Sequence, residues 1–175
     1  MNYFISDLHL GHKNVLKYDN RPFSSIEEMD EFIISNWIDR VNENDHVYII
    51  GDICFGNNPA KYLKRLNGKK HLIIGNHDGE IIKKCRDYFE SIDYYKEIEV
   101  DGKHIVLCHY PMAEWNGLFR GYYHIYGHIH NALNDTYYMM KKRDLALNAG
   151  CMINNYKPVT LGELIKNNYK FQMEH

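Results

Sequence analysis

The chain has 175 residues, enough for one domain (1–175) with a substantial buried core. Hydrophobic residues make up 45% and charged residues 25%, the balance of a globular protein rather than a disordered one. The formal net charge of -2 gives no basic field for long duplex nucleic acid, and no apolar run approaches the ~20 residues that a membrane helix needs.

"NYFISD" (2–7) is an apolar run that predicts a first strand. Residues 24–42 predict a helix. Ser24 and Ser25 each have a glutamate three places on, a capping-box pattern, and Ile26, Met29, Ile33, Trp37 and Val41 recur at helical spacing. "HVYIIGD" (46–52) is the second strand. A short helix over 59–68 starts at proline and ends at glycine. "KKHLIIGNHD" (69–78) is the third strand, and a helix follows over much of 79–90. Asp101-Gly102 between "YYKEIEV" and "KHIVLCHYP" is a hairpin signal. Strands follow at 123–130 and 144–150, and 159–168 leads into a C-terminal helix. Early strand–helix alternation argues for parallel pairing, and the later run of strands argues for α/β layers with more than one sheet.

The cysteines, Cys54, Cys85, Cys108 and Cys151, are far apart and form no CxxC pair. With no signal peptide recognised, a reduced cytoplasmic chain is the reading, with the cysteines as small buried side chains.

Histidine is unusual, with eleven copies. Five apolar strands each end in groups that bind metals: Asp7 and His9 in "SDLHLGH", Asp52 in "IIGD", Asn76, His77 and Asp78 in "IIGNHD", His109 in "LCHYP", and His128 and His130 in "YGHIH". Ligands gather at the C-terminal edge of α/β sheets, so these groups can converge. The two-residue spacing of Asp7/His9 and of His128/His130 puts each pair on one side of a strand. Gly51, Gly75 and Gly127 precede candidate ligands, at places where a chain must turn sharply or let a metal and substrate come close. Two aspartates, one asparagine and four histidines are too many donors for one four-coordinate ion. A pair of ions bridged by Asp52, ~3.5–4 Å apart, accommodates them. The remaining histidines, His12, His46, His71, His104, His124 and His175, read as ordinary surface or core side chains rather than metal ligands.

In this order, "DLH", "GD", "GNHD", "H" and "GHIH" resemble the signature of the calcineurin-like metallophosphoesterases, over residues 4–130 with "NAG" (148–150) as a closing strand. The lack of long insertions is similar to small single-domain bacterial or phage-type members. The resemblance implies a four-layer α-β-β-α sandwich of two mixed sheets flanked by helices. It implies that Asp7, His9 and His130 hold one metal, that Asn76, His109 and His128 hold the other, and that Asp52 bridges them. His77 matches the catalytic histidine, and Asp78 is expected to orient its imidazole.

The implied function is hydrolysis of a small phosphoester or nucleotide, as a phosphodiesterase or a phosphatase, with a hydroxide bridging the metals as nucleophile and His77 protonating the leaving oxygen. A nitrogen-rich donor set argues for Mn, Fe, Co, Ni or Zn over Mg or Ca, with Mn favoured. His12 and Arg21, just after the first motif, are expected at the substrate phosphate, while Lys13 reads as solvated. In "MAEWNGLFRGYYH" (112–124), Arg120 is a further phosphate contact, and Trp115, Phe119 and Tyr122 are stacking candidates on a rim. Two other functions share the motifs: a nuclease acting on nucleic-acid ends, and a non-catalytic scaffold like the retromer subunit of this fold. No pattern fixes an oligomeric state.

Overall fold

Side chains along a strand point alternately to its two faces, and in the central strands of this chain both faces carry buried apolar side chains. The computed structural model describes residues 1–175. β1 (Asn2–Ile5), β2 (His46–Ile49), β3 (Lys69–Ile73) and β4 (Ser91–Asp93) form one sheet in that order. Tyr3, Ile5, Val47, Ile49 and Leu72 face outward, onto Met29, Ile33 and Trp37 of helix α2 (Ile26–Ile38). Phe4, Tyr48 and Ile73 face the opposite way, into a second core.

That second core is shared with Ile105, Leu107, Ile125 and Leu147 of the other sheet. Its strands are β5 (Tyr95–Val100), β6 (Lys103–Cys108), β7 (Tyr123–Tyr126) and β8 (Ala146–Asn148), also in chain order. Val106, Tyr126 and Ala146 of this sheet face a third core with Trp115, Tyr137 and Met140. The fold is therefore α/β, with helix, sheet, sheet and helix in layers.

Only the second sheet is mixed: β5 and β6 are antiparallel, while β6–β7 and β7–β8 are parallel. The first is parallel throughout its four strands. The expected pair of mixed sheets is corrected in that respect, because helical segments follow β1, β2 and β3 and return the chain to the same end each time. An isolated antiparallel bridge between Phe4 and Val159 adds one residue to the free side of β1.

Local signals account for several boundaries. Ser25 caps α2 by accepting the Glu28 N–H. Asp101 (φ 52) and Gly102 (φ 71) are both left-handed, the requirement of a tight I′ hairpin. Thr160 and Glu163 form a reciprocal capping box at the start of the C-terminal helix, Leu161–Glu174. The helices expected over 59–68 and 79–90 are shorter, at Ala60–Leu63 and Gly79–Lys84. β4 and the helix Asp135–Met140 had no sequence expectation.

Beyond the strands the loops run side by side. Asp7 N–H donates to Gly51 O (3.1 Å) and His9 N–H to Asp52 O (3.0 Å). Ser6 joins the two sheets: its N–H donates to Ala149 O and its carbonyl accepts from Cys151 N–H, each at 2.9 Å. All the candidate ligands consequently emerge at one edge of the sandwich. The four cysteines are free, and no helix is long and apolar enough to cross a membrane.

Candidate metal centre

β1 ends at Ile5, so Asp7 and His9 lie in the loop beyond it rather than on the strand. Both have left-handed backbones (φ 56 and 52), with fully buried Leu8 between them. His128 and His130 repeat the pattern (φ 69 and 52) around buried Ile129. The two-residue spacing thus works through a left-handed residue, a buried apolar anchor and a second left-handed residue, not through strand alternation. Asp52 is left-handed as well (φ 55). Each such conformation costs about 1–3 kcal/mol for a residue with a side chain, and such strain gathers where geometry is dictated by a site.

The glycines make the approach possible. A Cβ on Gly127 would stand 2.0 Å from Ser6 Oγ and 2.6 Å from Asp7 Oδ2. On Gly75 it would meet Asp52 Oδ1 at 2.3 Å, and on Gly51 it would meet His109 Nδ1 at 2.3 Å.

Donor atoms of Asp7, His9 and His130 lie within 4.8 Å of one another, and so do those of Asp7, Asp52 and His109. Asp52 Oδ2 is 3.6 Å from His9 Nε2 and 3.7 Å from His109 Nε2, between the two groups. Its other oxygen accepts the His77 N–H at 2.9 Å. Asn76 Oδ1 lies 3.1 Å from His109 Nε2 and 3.0 Å from His128 Nδ1. All seven expected ligands are thereby gathered. Asp7 belongs to both clusters, a sharing that the sequence did not indicate.

These donors fit divalent cations. Asp7 and Asp52 are 1% and 2% exposed, their carboxylates lie close to each other, and the basic side chains within 4.0 Å of them are histidines alone. His109 donates through Nδ1 to Ile50 O (2.7 Å), which leaves Nε2 as a lone pair aimed at the Asn76 oxygen. Two acceptors 3.1 Å apart call for a cation beside them. His9 Nε2 and His130 Nε2 face each other at 3.2 Å, and His9 Nδ1 is buried without a partner.

The electrostatics agree. Burial works against the charged form of His130, but hydrogen bonds to Asp19 and Asp7 outweigh it and raise its pKa to about 9. Burial would raise the Asp7 carboxyl, yet His130, His109 and His9 pull it down to about 2. His9 falls to about 3, through burial first and then the charges of His130 and Arg21, against the opposing pull of Asp7. A positive charge is favoured between these groups.

Residues 2–161 match the family model of the calcineurin-like phosphoesterase superfamily domain. The chain belongs to the calcineurin-like phosphoesterase superfamily. It is similar to the uncharacterised protein MJ1445 of Methanocaldococcus jannaschii, at 37% identity over 168 residues, covering 94% of this chain and 89% of that one. The Gene 66 protein of Mycobacterium phage L5 is 28% identical over 162 residues, covering 75% of this chain and 78% of the phage protein. Among solved structures, the protein of unknown function AQ665 from Aquifex aeolicus superposes with a TM-score of 0.77 at 29% identity, over 95% of this chain and 98% of that one.

Other expected site residues of this calcineurin-like phosphoesterase chain lie elsewhere or act differently. His77 is exposed in the cleft, its ring edge-on to His9 (centroids 5.5 Å apart) and Phe55 (5.9 Å). Asp78 does not bond that imidazole. It is fully buried, and its carboxylate accepts the N–H groups of Gly75 (2.7 Å), Asp52 (2.9 Å) and Ile53 (3.2 Å). It ties the second and third ligand loops together through their backbones.

Arg21 is also corrected. It is 4% exposed and faces inward, donating to Leu8 O and Asp7 O, each at 2.9 Å. Its Nε meets Asp19 Oδ2 at 3.0 Å. Its donors are taken up by the loop that carries Asp7 and His9, by Asp19 and by Met29 Sδ, so no phosphate contact is left to it. His12 does line the cleft, stacked on Phe55 (4.3 Å, 25°).

Arg120 does not line the cleft. Its guanidinium bonds Asn116 Oδ1 at 2.8 Å and lies over the Tyr122 ring. The loop folds down onto the second sheet, with Trp115 buried and its Nε1–H on Tyr122 O, so Trp115 forms no stacking rim. Tyr122 stacks on His104 (4.4 Å, 20°), whereas Phe119 is 90% exposed.

Sequence reasoning missed Asp19. It stands in the segment between His9 and Arg21 that drew attention for its cations, and it was the one acidic residue there. Its Oδ1 is 2.8 Å from His130 Nδ1.

Proposed function

We propose that the protein is a phosphoric ester hydrolase that works with two divalent transition-metal ions, manganese foremost, on a small phosphoester or nucleotide. Asp7, His9 and His130 would hold one ion, and Asn76, His109 and His128 the other. Asp52 would serve both. The observation that carries this reading is the place of Asp52 Oδ2, within 3.7 Å of a histidine nitrogen from each set. When bound, the ions supply charge neutralisation at the phosphoryl oxygens and activation of water near neutral pH.

The chain's own residues do the rest. Asp52 holds the His77 backbone through its second oxygen, so the proton donor is placed by the group that organises the metals. His77 would hold a proton for the leaving oxygen, a contribution of about 10²–10⁴-fold. His12, on Phe55, would hydrogen-bond the ester from the same side. Asp78 acts at one remove, by fixing the loops of Asp52 and His77.

Catalysis is favoured over the scaffold reading because His77 is exposed to the cleft beside the ligand set, where a proton donor has a use. The test is hydrolysis by metal-stripped protein reloaded with Mn²⁺, using para-nitrophenyl phosphate and bis-para-nitrophenyl phosphate, with Asp52→Asn as control. Metal-dependent turnover that Asp52→Asn abolishes supports the reading. No turnover of either ester with the ions bound defeats it.

A further inference from the structure

Two cavities meet at the candidate metal centre. One, of about 650 Å³, runs beyond His128 and His130 to the wall formed by the helix Asp135–Met140. The other, of about 420 Å³, opens on the side of His77, His12 and Phe55. They share Tyr18, Asp19, His128 and His130, so His128 and His130 stand at their junction, while His9, Asp52 and Asn76 line the second cavity. His77 lines the second arm and not the first. A leaving group protonated by His77 therefore departs through the second arm. A monoester would put nothing in the first arm.

The lining of the first arm gives the chemistry of its occupant. It contains the exposed amides of Asn20, Asn131 and Asn134, the Thr136 hydroxyl, and Tyr18 and Tyr110. Tyr110 also packs against the ring of His128 at 4.7 Å. Amides and hydroxyls hydrogen-bond neutral polar groups, and aromatic faces take rings. Neither arm is lined by a lysine or an arginine. A second phosphate would enter with no fixed cation to meet it and would lose its hydration without compensation. The volume lies within the ~300–1,000 Å³ typical of a small-molecule site.

We infer that the cleft is built for a phosphodiester with a single phosphoryl group, whose second organic group is an uncharged, ring-bearing alcohol of nucleoside size seated in the Asn131/Thr136 arm. This rests on the phosphoesterase reading above and selects the diester within it. In the reaction, water adds to phosphorus as the P–O bond on the His77 side breaks. The leaving alcohol takes the proton, and the monoester left in the first arm carries away the new P–O bond.

The experiment uses the Mn²⁺-loaded full chain and three esters: para-nitrophenyl phosphate, thymidine 5′-(para-nitrophenyl phosphate), and thymidine 5′-diphosphate. The thymidine diester is expected to exceed the monoester in kcat/KM by about 100-fold. Asn131→Trp, which fills the first arm, is expected to lower the diester-to-monoester ratio about tenfold, and Met139→Trp on the helical wall to do the same. A ratio that neither variant moves overturns the inference. Thymidine 5′-diphosphate turned over as fast as the diester overturns it as well, and so does turnover of the monoester alone. Turnover of none of the three removes the phosphoesterase reading, and this inference with it.

Discussion

Asp19 Oδ1 lies 2.8 Å from His130 Nδ1, and the opposite nitrogen of the same ring faces His9 at 3.2 Å. A carboxylate on one side of an imidazole fixes its tautomer and raises the basicity of the other nitrogen. Asp19→Ala is therefore expected to weaken divalent-metal binding by about 10–100-fold. Asp19→Asn keeps an acceptor without the charge and should fall between the two. Titration calorimetry with Mn²⁺ checks the order. Equal affinity in all three proteins would mean that Asp19 only packs the loop.

Arg21 is buried among carbonyls and a carboxylate, and its role is structural. Removing one partner of a buried ion pair costs about 3–5 kcal/mol. Arg21→Met should lower stability by that order in denaturant unfolding of the metal-free protein. Arg21→Lys should rescue little, because an ammonium cannot reach Leu8 O, Asp7 O and Asp19 in one fork. A stable Arg21→Met protein with a raised KM alone would restore the phosphate-contact role.

His77→Ala should lose about 10²–10⁴-fold in kcat while binding metal normally, since the side chain is not among the expected ligands. Steady-state kinetics beside metal analysis of the same sample separates the two effects. Loss of bound metal in that variant would make His77 a ligand instead.

His124 sets a pH dependence away from the metals. It is fully buried. Nδ1 donates to Val106 O (3.2 Å) and Nε2 accepts the Met112 N–H (3.1 Å), an arrangement only the neutral ring satisfies. Burial depresses its pKa to about 4, below the ordinary value near 6.5 that it regains on unfolding. The unfolded chain thus binds more protons between these values. The stabilisation is complete above pH ~6.5 and is lost as pH falls towards 4, to a limit of about 3 kcal/mol. Half-buried His71, also lowered to about 4 by burial first, acts in the same direction. Urea unfolding at pH 7.5 and 5.0 should show the fall, and His124→Gln should reduce it. His130, raised to about 9, acts in the opposite direction, so the comparison between proteins decides: an equal change from pH 7.5 to 5.0 in the wild type and in His124→Gln would contradict the account.

Gly127→Ala should disrupt the first ligand set. Its Cβ would stand within 2.6 Å of both Ser6 Oγ and Asp7 Oδ2, in a region held by the junction between the sheets. Metal affinity should fall even if the circular dichroism spectrum is unchanged.

The candidate ligands were legible as a group because each follows an apolar strand with a characteristic polar tip, and a sandwich collects such tips at one edge. The Asp101-Gly102 hairpin and the capped helices were legible because their chemistry is local. Asp78 and Arg21 were misjudged for a common reason. Their partners are backbone groups of other segments, at Gly75, Asp52 and Ile53 and at Asp7 and Leu8, and a backbone group carries no sequence signature. Arg120 failed on a tertiary matter, since burial of Trp115 pulls its loop down onto the second sheet. The left-handed pairs at Asp7/His9 and His128/His130 imitate strand spacing, so the pairing expected from strand alternation rests on a different backbone geometry.

The central claim is a two-ion centre organised by Asp52. Equilibrium dialysis of the metal-stripped protein against Mn²⁺, followed by elemental analysis, tests it most directly. The account predicts two ions per chain in the wild type, and fewer than two at the same free Mn²⁺ in Asp52→Asn. One ion or none in the wild type, or two held equally well without the Asp52 carboxylate, would contradict it.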